Sequence, residues 1–364
     1  ACWFFGFLFF WKIPRLRGRF KPGTRVPPLS LIIPARNEEK NLDRLLRSIK
    51  NGNPRPDEII VVDDHSEDAT GEVGIRAGCK VIASAELPEG WVGKTWACWQ
   101  GVGQARGDLI LFLDADTVLE PGGFSRLVET YLGKGGLVSV YPYHRMERPY
   151  ERLSAFFNLI SLAGTGSFTL LGSWLNPRGA FGPCMLCSRR DYLAVGGHAG
   201  ERIRGEILES LGMEEAFRQK GLPVHLFGGK GAISFRMYPS GLRSLREGFG
   251  KSLGVGFRGT PSFLLVLIVL WISGGFSTTR HLLQNGLLAD WSALAIWAVM
   301  DLLYVLQIFR MLASVGNFTF VTALFFQIPL FFFLAVFSTS LIRTFLFRRV
   351  TWKGRTVKIS SGSR

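Results

Sequence analysis

The strongest constraint on the fold is a five-residue apolar run, Leu109–Leu113, that ends directly at Asp114-Ala115-Asp116. The run lacks Pro and Gly and has the length of a strand buried on both faces of a parallel sheet. Open α/β sheets bind ligands at the carboxyl ends of such strands. Two carboxylates there suit Mg²⁺ or Mn²⁺. A solvated turn is the alternative, because Asp is common in turns.

Strand and helix patterns alternate along residues 29–113. Apolar runs predict strands, and 3.6-residue periodicity predicts helices between them. The strands are Leu29–Ile33, Glu58–Val62, Val81–Ala83 and Leu109–Leu113, and the helices are Asn41–Lys50, Glu67–Ala77 and Ala97–Ala105. This order predicts an α/β fold with a mainly parallel sheet. Asp63-Asp64 follow the second strand, so two acidic pairs converge on one crevice, which favours a binding site over a turn.

Four long apolar stretches predict a membrane protein. They are Cys2–Trp11, Phe263–Ile272, Ala293–Phe309 and Phe318–Ile342. The last is long enough to cross a hydrocarbon core of about 30 Å as a helix. The chain begins without Met, and we expect the first stretch to belong to a longer N-terminal span.

The net charge of +15 is concentrated beside these stretches. Thirteen basic residues flank the first and last of them with no acid among them: Lys12, Arg15, Arg17, Arg19, Lys21, Arg25, Arg343, Arg348, Arg349, Lys353, Arg355, Lys358 and Arg364. Basic flanks mark the cytoplasmic side and attract anionic lipids. We therefore expect a multi-pass protein of the plasma membrane, with its central domain and tail in the cytoplasm and no nucleic-acid partner.

This orientation creates a parity problem. If all three C-terminal stretches crossed once, the tail would lie opposite the central domain. One of them must then be re-entrant, interfacial or a split pair. Pro329 is a candidate break in the last stretch, and the first is short unless it continues through Ser277-Thr278-Thr279.

The five cysteines do not indicate a disulfide framework in a cytoplasmic chain. Cys184 and Cys187 form a C-x-x-C, but Cys2, Cys79 and Cys98 supply no second pair for a zinc site. We interpret the pair as small apolar residues of a buried strand.

Three ordered motifs resemble family 2 glycosyltransferases. They are Ile33-Pro34-Ala35-Arg36-Asn37-Glu38-Glu39, Val62-Asp63-Asp64-His65-Ser66-Glu67-Asp68 and Asp114-Ala115-Asp116. The resemblance covers about Leu31 to Leu253. It implies a GT-A fold, a UDP-sugar donor and an inverting mechanism.

Further motifs are similar to the membrane-bound glycosyltransferases of carotenoid synthesis, and hopanoid-associated glycosyltransferases share much of the pattern. They are Gly90–Ala97, Tyr141–His144 with Tyr150-Glu151, Phe181-Gly182-Pro183 with Gly196-Gly197-His198, Phe235–Tyr238, and Thr351-Trp352-Lys353-Gly354-Arg355. This narrower likeness implies a lipophilic acceptor dissolved in the membrane.

The resemblance assigns a donor half of the site. Pro34, Ala35, Arg36, Asn37 and Glu38 would line the nucleotide pocket. Asp63 or Asp64 would accept hydrogen bonds from uracil or ribose, since an ionised carboxylate only accepts. Lys94 would neutralise the diphosphate. Asp114 would contact ribose and metal, and Asp116 would bind the metal.

The acceptor half depends on Glu209. The family's usual Glu-Asp, in which Asp is the general base, is Glu209-Ser210 here, and we nominate Glu209. Its rivals are Glu206, Glu214 and Glu215, although pairing with Arg218 four residues on would explain Glu214. A carboxylic acid acceptor is already ionised near neutral pH, so Glu209 would then only orient it.

Three more residues are acceptor or diphosphate candidates: Arg236, Tyr238 and His144. Arg binds carboxylate or phosphate bidentately, but an interfacial arginine and a structural histidine are the alternatives. The segment Leu153–Leu175, with Trp174 near its end, fits either an interfacial segment that delivers the acceptor or a buried core helix.

The sequence thus predicts a membrane anchor and basic linker over 1–25, a GT-A domain over 26–258, membrane helices over 259–342 and a basic tail over 343–364. The expected reaction transfers glucose from UDP-glucose to a C30 carotenoid acid, with Mg²⁺ or Mn²⁺. The alternatives are a hopanoid or diacylglycerol acceptor, a processive polysaccharide synthase, and an inactive nucleotide-binding scaffold.

Overall fold

The computed structural model describes residues 2–18, 25–52, 54–170, 179–206, 208–342, 349–352 and 355–358. The helices are α1 (Cys2–Phe9), α2 (Glu39–Lys50), α3 (Thr70–Arg76), α4 (Gly93–Gly103), α5 (Gly123–Lys134), α6 (Ala155–Gly164), α7 (Arg189–Ala194), α8 (Glu209–Gln219), α9 (Leu242–Gly259), α10 (Ser262–Leu287), α11 (Trp291–Val315), α12 (Phe320–Leu324) and α13 (Gln327–Ile342). The strands are β1 (Leu29–Ala35), β2 (Glu58–Asp63), β3 (Lys80–Ala83), β4 (Leu109–Leu113), β5 (Thr117–Leu119), β6 (Leu137–Tyr141), β7 (Tyr143–His144), β8 (Cys184–Ser188), β9 (Val224–Gly228), β10 (Ile233–Phe235), β11 (Arg349–Trp352) and β12 (Arg355–Lys358).

Contacts between residues divide the chain into two compact units. The sheet unit comprises Pro14–His144 and Gly179–Arg236, and the helical unit comprises Ala1–Ile13, Arg145–Arg178 and Met237–Arg364. The functional boundaries at 25, 258 and 342 stay a prediction.

A seven-stranded sheet forms the centre of the sheet unit, in the order β3-β2-β1-β4-β8-β6-β9. Strands β1 to β4 are parallel to one another, β8 runs antiparallel to β4 and β6, and β9 is parallel to β6. The predicted α/β class with a mainly parallel sheet is confirmed. A smaller sheet in the order β5-β10-β7 follows the carboxyl end of β4.

Both faces of the large sheet are covered, as the apolar strand sequences predict. On β1, Leu31 and Ile33 pack into one core cluster, and Ile32 packs into the cluster on the opposite face. This alternation follows from the two-residue period of a strand. On α2 the buried residues are Leu42, Leu45, Leu46 and Ile49, the apolar stripe read from the sequence.

The interpretation of Cys184 and Cys187 is also confirmed. Both lie on β8, are no more than 1% exposed and are free thiols. Burial raises the pKa of each thiol, because the apolar core disfavours a thiolate.

Two helices begin three or four residues away from the predicted start. Helix α3 begins at Thr70 rather than Glu67, because the preceding residues form a loop in which Asp68 accepts a hydrogen bond from the Thr70 amide (3.0 Å). Helix α4 begins at Gly93 rather than Ala97. Lys94 therefore lies in the first turn of a helix.

In the helical unit, α10 and α11 form a hairpin joined by the three residues Leu288–Asp290. Polar pairs connect the two helices: Trp271 donates to Gln307 (2.7 Å), and Thr278 and Thr279 donate to Asp301 (3.0 and 3.2 Å). Both helices are long and apolar enough to cross a membrane. The apolar stretch Phe263–Ile272 does continue through Ser277-Thr278-Thr279 as part of α10.

The stretch Phe318–Ile342 is not one helix. Helix α12 ends at Leu324, and α13, which is shorter than the predicted stretch, begins at Gln327. The stretch is therefore broken into two helices, as one of the alternatives proposed. The break precedes Pro329, which sits in the first turn of α13, where a proline is tolerated.

The described part of the segment Leu153–Leu175 contains α6, most of whose side chains are buried, with Phe156 and Phe157 at most 1% exposed. This favours the buried-helix alternative for α6. Trp174 lies outside the described residues.

Candidate active site

The carboxyl ends of β1, β2 and β4 meet at one edge of the large sheet, because the three strands are adjacent and parallel. The predicted donor residues follow directly from these ends. Pro34 and Ala35 are the last two residues of β1 and pair with Val62 and Asp63 of β2. The fold therefore brings the first two sequence motifs side by side.

Hydrogen bonds join the loops after β1 and β2. The Asn37 amide donates to the Ser66 hydroxyl (3.0 Å), and the Asn37 side-chain oxygen accepts from the Glu67 amide (2.8 Å). The Glu38 amide donates to the Thr70 hydroxyl (2.8 Å). Asn37 and His65 have positive φ angles of 54° and 56°, which Asn and His tolerate better than most residues. The two loops thus form one shaped edge.

Asp63 and Asp64 have different partners at this edge. Asp63 accepts a hydrogen bond from the Ser66 amide (3.0 Å), which orients its carboxylate within the loop. Asp64 is 8% exposed and lies 3.8 Å from the Arg36 guanidinium and 3.2 Å from Nδ1 of His65. The Asp64 carboxylate therefore lies beside Arg36 and His65. The Asp63 carboxylate holds the loop that follows β2 through its bond with the Ser66 amide.

Asp114-Ala115-Asp116 forms the connection between β4 and β5. The Asp114 carbonyl accepts hydrogen bonds from the amide and the hydroxyl of Thr117 (3.1 and 2.7 Å). The Asp114 amide donates to the carbonyl of Pro183 (3.0 Å). The segment is thus a turn that the backbone groups of Asp114 hold in place.

Lys94 connects this turn to the nominated catalytic residue. Its ammonium nitrogen lies 2.7 Å from Oδ1 of Asp114 and 2.9 Å from Oε1 of Glu209. The Lys94 side chain is 20% exposed, and that of Glu209 is 5% exposed. Because Lys94 stands in the first turn of α4, the positive end of the helix dipole adds to its charge. This end of the site is suited to an anionic group.

Glu209 differs from its three rivals. It begins α8 and is buried against Lys94. Glu214 is buried but paired with Arg218, as expected for residues four apart, and Glu215 pairs with Arg202 (3.3 Å). Glu206 is exposed. Glu209 is thus the glutamate of this group that contacts the donor-side residues.

The charge of Lys94 is fixed by its neighbours. Burial acts to lower the pKa of Lys94, but the carboxylates of Asp114 and Glu209 outweigh it and raise the pKa. Burial raises the pKa of the nearby Cys98 thiol, whereas burial and the charge of Lys94 lower the pKa of His198 to about 3. At neutral pH the ammonium is charged while Cys98 and His198 are neutral.

The acceptor candidates are divided between the two units, with His144 and Arg236 in the sheet unit and Tyr238 in the helical unit. His144 on β7 is fully buried with its ring 5.1 Å from that of Phe235, which favours the structural alternative. Arg236 directly follows β10 and is half-buried. Tyr238 belongs to the helical unit, where its carbonyl accepts a hydrogen bond from the Tyr150 hydroxyl (3.0 Å).

The donor set fits a metal only together with a substrate. Among the residues that the structure describes, no three His, Cys, Asp or Glu side chains form a group able to hold a metal. Asp114 and Asp116 supply two hard carboxylates, and protein Mg²⁺ sites often combine one or two carboxylates with substrate phosphates and water. These two residues therefore fit a cation bound with a diphosphate.

Two features of the site received no function from the sequence. A Cβ atom on Gly182 would stand 2.6 Å from Oε1 of Glu209 and 3.1 Å from Nζ of Lys94, so the absent side chain leaves room for this ion pair. Nδ1 of His198 lies 2.8 Å from the Tyr192 hydroxyl. The motif glycine and histidine were visible in the sequence, but their contacts with distant residues were not.

Comparisons with known proteins agree on one family. Residues 30–194 match Glycosyl transferase family 2. The 4,4'-diaponeurosporenoate glycosyltransferase of Staphylococcus haemolyticus (strain JCSC1435) is 38% identical over 259 residues, which are 70% of this chain and 68% of the relative. The protein of the same name from Staphylococcus aureus (strain USA300) is 36% identical over 336 residues, which are 91% of this chain and 88% of the relative.

A solved structure shows the same fold over nearly the whole chain. The mannosyltransferase PcManGT from Pyrobaculum calidifontis, in complex with GDP-Man and Mn²⁺, has a TM-score of 0.53. The match covers 93% of this chain and 91% of that chain at 16% identity. At this identity the likeness shows the fold alone.

Proposed function

Because the chain belongs to glycosyl transferase family 2, we propose that it is an inverting, membrane-bound enzyme that transfers glucose from UDP-glucose to the carboxyl group of a C30 carotenoid acid. The name shared by the staphylococcal relatives, 4,4'-diaponeurosporenoate glycosyltransferase, supports this acceptor. The relatives match this chain well beyond the donor-binding motifs, since 91% of it aligns with the Staphylococcus aureus protein.

One observation carries the proposal: Lys94 lies between Asp114 and Glu209 at the carboxyl edge of the sheet. A nucleotide-sugar transferase needs a cationic group for the diphosphate and a carboxylate near the reacting carbon. Asp114 belongs to the predicted donor half and Glu209 to the predicted acceptor half. Both carboxylates lie within 3 Å of the Lys94 nitrogen, which supports a site in which the two halves meet.

The donor would lie across the strand ends. Asp63 and Asp64 would accept hydrogen bonds from the nucleoside, with Arg36, Asn37 and Glu38 beside them. Lys94 and the N-terminus of α4 would neutralise the diphosphate. Mg²⁺ or Mn²⁺ held by Asp114 and Asp116 would stabilise the charge that develops on the leaving diphosphate.

The transfer step balances without a base when the acceptor is a carboxylate. A carboxylate oxygen attacks the anomeric carbon on the face opposite the diphosphate, the carbon–oxygen bond to the diphosphate breaks, and UDP leaves with the bonding electrons. The product is a glucosyl ester with inverted configuration. Because the acceptor is ionised near neutral pH, Glu209 has no proton to remove, and we propose that it orients the reactants through Lys94.

The helical unit would hold the enzyme in the bilayer. On α11, many of the exposed side chains are apolar, including Ile296 (63%), Val299 (55%) and Leu302 (50%). In water, an apolar face of this extent marks an interaction surface; hydrocarbon would cover it. We propose that α10 and α11 cross the plasma membrane as a pair, while α13 is re-entrant or interfacial, which keeps the tail and the catalytic domain in the cytoplasm.

The deciding experiment gives purified enzyme UDP-glucose and Mn²⁺ with three competing acceptors: a C30 carotenoid acid, a hopanoid and a diacylglycerol. Mass spectrometry should find a glucosyl ester of the carotenoid acid as the main product. A glucosylated hopanoid or diacylglycerol in its place would refute the acceptor assignment. Absence of UDP release, both with UDP-glucose and when a panel of other UDP-sugars replaces it, would refute the donor assignment.

A further inference from the structure

We propose that Lys94 couples the two halves of the active site, because Glu209 and the donor diphosphate compete for its ammonium. This inference rests on the proposed function, since it takes a nucleoside diphosphate as the ligand. It predicts that Glu209, which lies in the acceptor half, weakens the binding of UDP.

Two carboxylates contact the same ammonium nitrogen of Lys94. The Lys94 ammonium forms ion pairs with Asp114 (2.7 Å) and with Glu209 (2.9 Å), so two carboxylates already share its single positive charge. An incoming diphosphate adds at least one more anion at the same nitrogen. That anion must share the charge with the carboxylates or displace one of them from the ion pair.

Glu209 is the partner that the diphosphate would displace. Asp114 is held close to Lys94 because its backbone amide is bonded to Pro183 and its carbonyl to Thr117. Asp114 also belongs to the side of the site where the donor binds. Glu209 approaches from α8, a separate element, so its contact with Lys94 can open without disturbing the β4–β5 turn.

Gly182 makes the contact between Glu209 and Lys94 possible. Its φ angle is not among the positive values, so the backbone conformation does not itself require glycine, and the need for glycine is one of space. A Cβ atom would stand 2.6 Å from Oε1 of Glu209, closer than real Cβ contacts occur. An alanine at this position would push the Glu209 carboxylate away from the ammonium while keeping every charge.

The neighbouring titratable groups do not change this competition near neutral pH. The charge of Lys94 acts to lower the pKa of both Cys98 and His198. Both are neutral because they are buried, at 1% and 0% exposure. Asp114 and Glu209 thus both act on Lys94 as anions, and the diphosphate would be a further one.

The test measures the affinity of UDP with Mn²⁺ by isothermal titration calorimetry on the full-length, detergent-solubilised protein. Glu209→Gln should tighten UDP binding by about fivefold or more, the lower range of typical coupling between sites. In a Lys94→Met background, Glu209→Gln should leave the affinity unchanged, because the residue that transmits the effect is gone.

A second pair of variants keeps the test decisive if Lys94→Met fails to fold. Gly182→Ala should tighten UDP binding as Glu209→Gln does, and the double variant should bind no more tightly than either single variant. Gly133→Ala is the matched control, since nothing lies within 4 Å of a Cβ there, and its affinity should equal that of the wild type.

Three results would overturn the coupling. They are an unchanged affinity in Glu209→Gln, an equal tightening in the Lys94→Met background, and additive tightening in the Gly182→Ala double variant. The second and third would mean that Glu209 repels the diphosphate directly. If wild-type protein binds no UDP at all, the proposed function itself is wrong, so the two failures are distinguishable.

Discussion

The ammonium nitrogen of Lys94 lies 2.9 Å from Oε1 of Glu209. This contact links the first turn of α4 to the first residue of α8. Both side chains are largely withdrawn from water, and breaking a buried ion pair by removing one partner leaves an uncompensated charge. The contact therefore matters both for the fold of the site and for the charge that a substrate meets there.

Glu209→Gln should reduce turnover with a carotenoid acid by only about tenfold, because no proton has to be removed from an ionised acceptor. A true general base contributes about 10²–10⁴-fold. The kcat of the variant, measured with carotenoid acid between pH 6 and 8, should be flat. A loss of about 10³-fold with a pH-dependent profile would instead identify Glu209 as a general base.

Asp116→Asn should lower Mn²⁺-dependent turnover by about 100-fold or more, since a metal is worth several kcal/mol to the leaving group. Membrane insertion should be unchanged. The control is Asp108→Asn, which changes an exposed acid directly before β4 and should keep wild-type turnover. Full activity in Asp116→Asn would place the metal elsewhere.

His198 should make the protein less stable in acid. Folding lowers the pKa of His198 from 6.5 to about 3, so between these values the unfolded chain binds a proton that the folded chain does not. Its contribution to stability is complete above pH 6.5 and is lost as the pH falls toward 3. The free energy of unfolding should fall by up to about 1.4 kcal/mol per pH unit in this window on account of this group.

The measurement compares how steeply the free energy of unfolding changes with pH in wild type and in His198→Asn, which retains a hydrogen-bonding side chain for the Tyr192 hydroxyl. In the variant, the free energy of unfolding should change less steeply with pH, by the contribution of about one bound proton. Because the comparison uses slopes, a constant loss of stability in the variant does not affect it. Equal slopes would show that His198 titrates normally in the folded protein.

Leu288 tests the membrane arrangement. It is 69% exposed in the connection between α10 and α11, which would face the outside if the two helices cross as a pair. In a Cys2→Ser, Cys79→Ser background, Leu288→Cys should react with a membrane-impermeant maleimide added to intact cells. Ser361→Cys, in the predicted cytoplasmic tail, should react only after lysis. The reverse pattern would invert the topology.

The fold was largely predictable because local sequence patterns indicate each helix and strand. The apolar residues of α2 occur at helical spacing, and Leu109–Leu113 is β4 with the predicted bounds. Predictions of helix boundaries were wrong where a side chain determines the boundary. The hydrogen bond from the Thr70 amide to Asp68 is one example, because α3 begins only at Thr70. The break before α13 was also misplaced, since Pro329 marks a possible break but is tolerated in a first turn.

The donor motifs were visible because they follow strand ends directly, and a parallel sheet brings such ends together. The sequence by itself therefore determined the family, the α/β class and the acids at 63, 64, 114 and 116. Only the tertiary structure decided which glutamate meets Lys94, because Glu209 arrives from a helix distant in the chain. It likewise decided what Gly182 does: the reason for that glycine is the space taken by two other side chains, which no local pattern records.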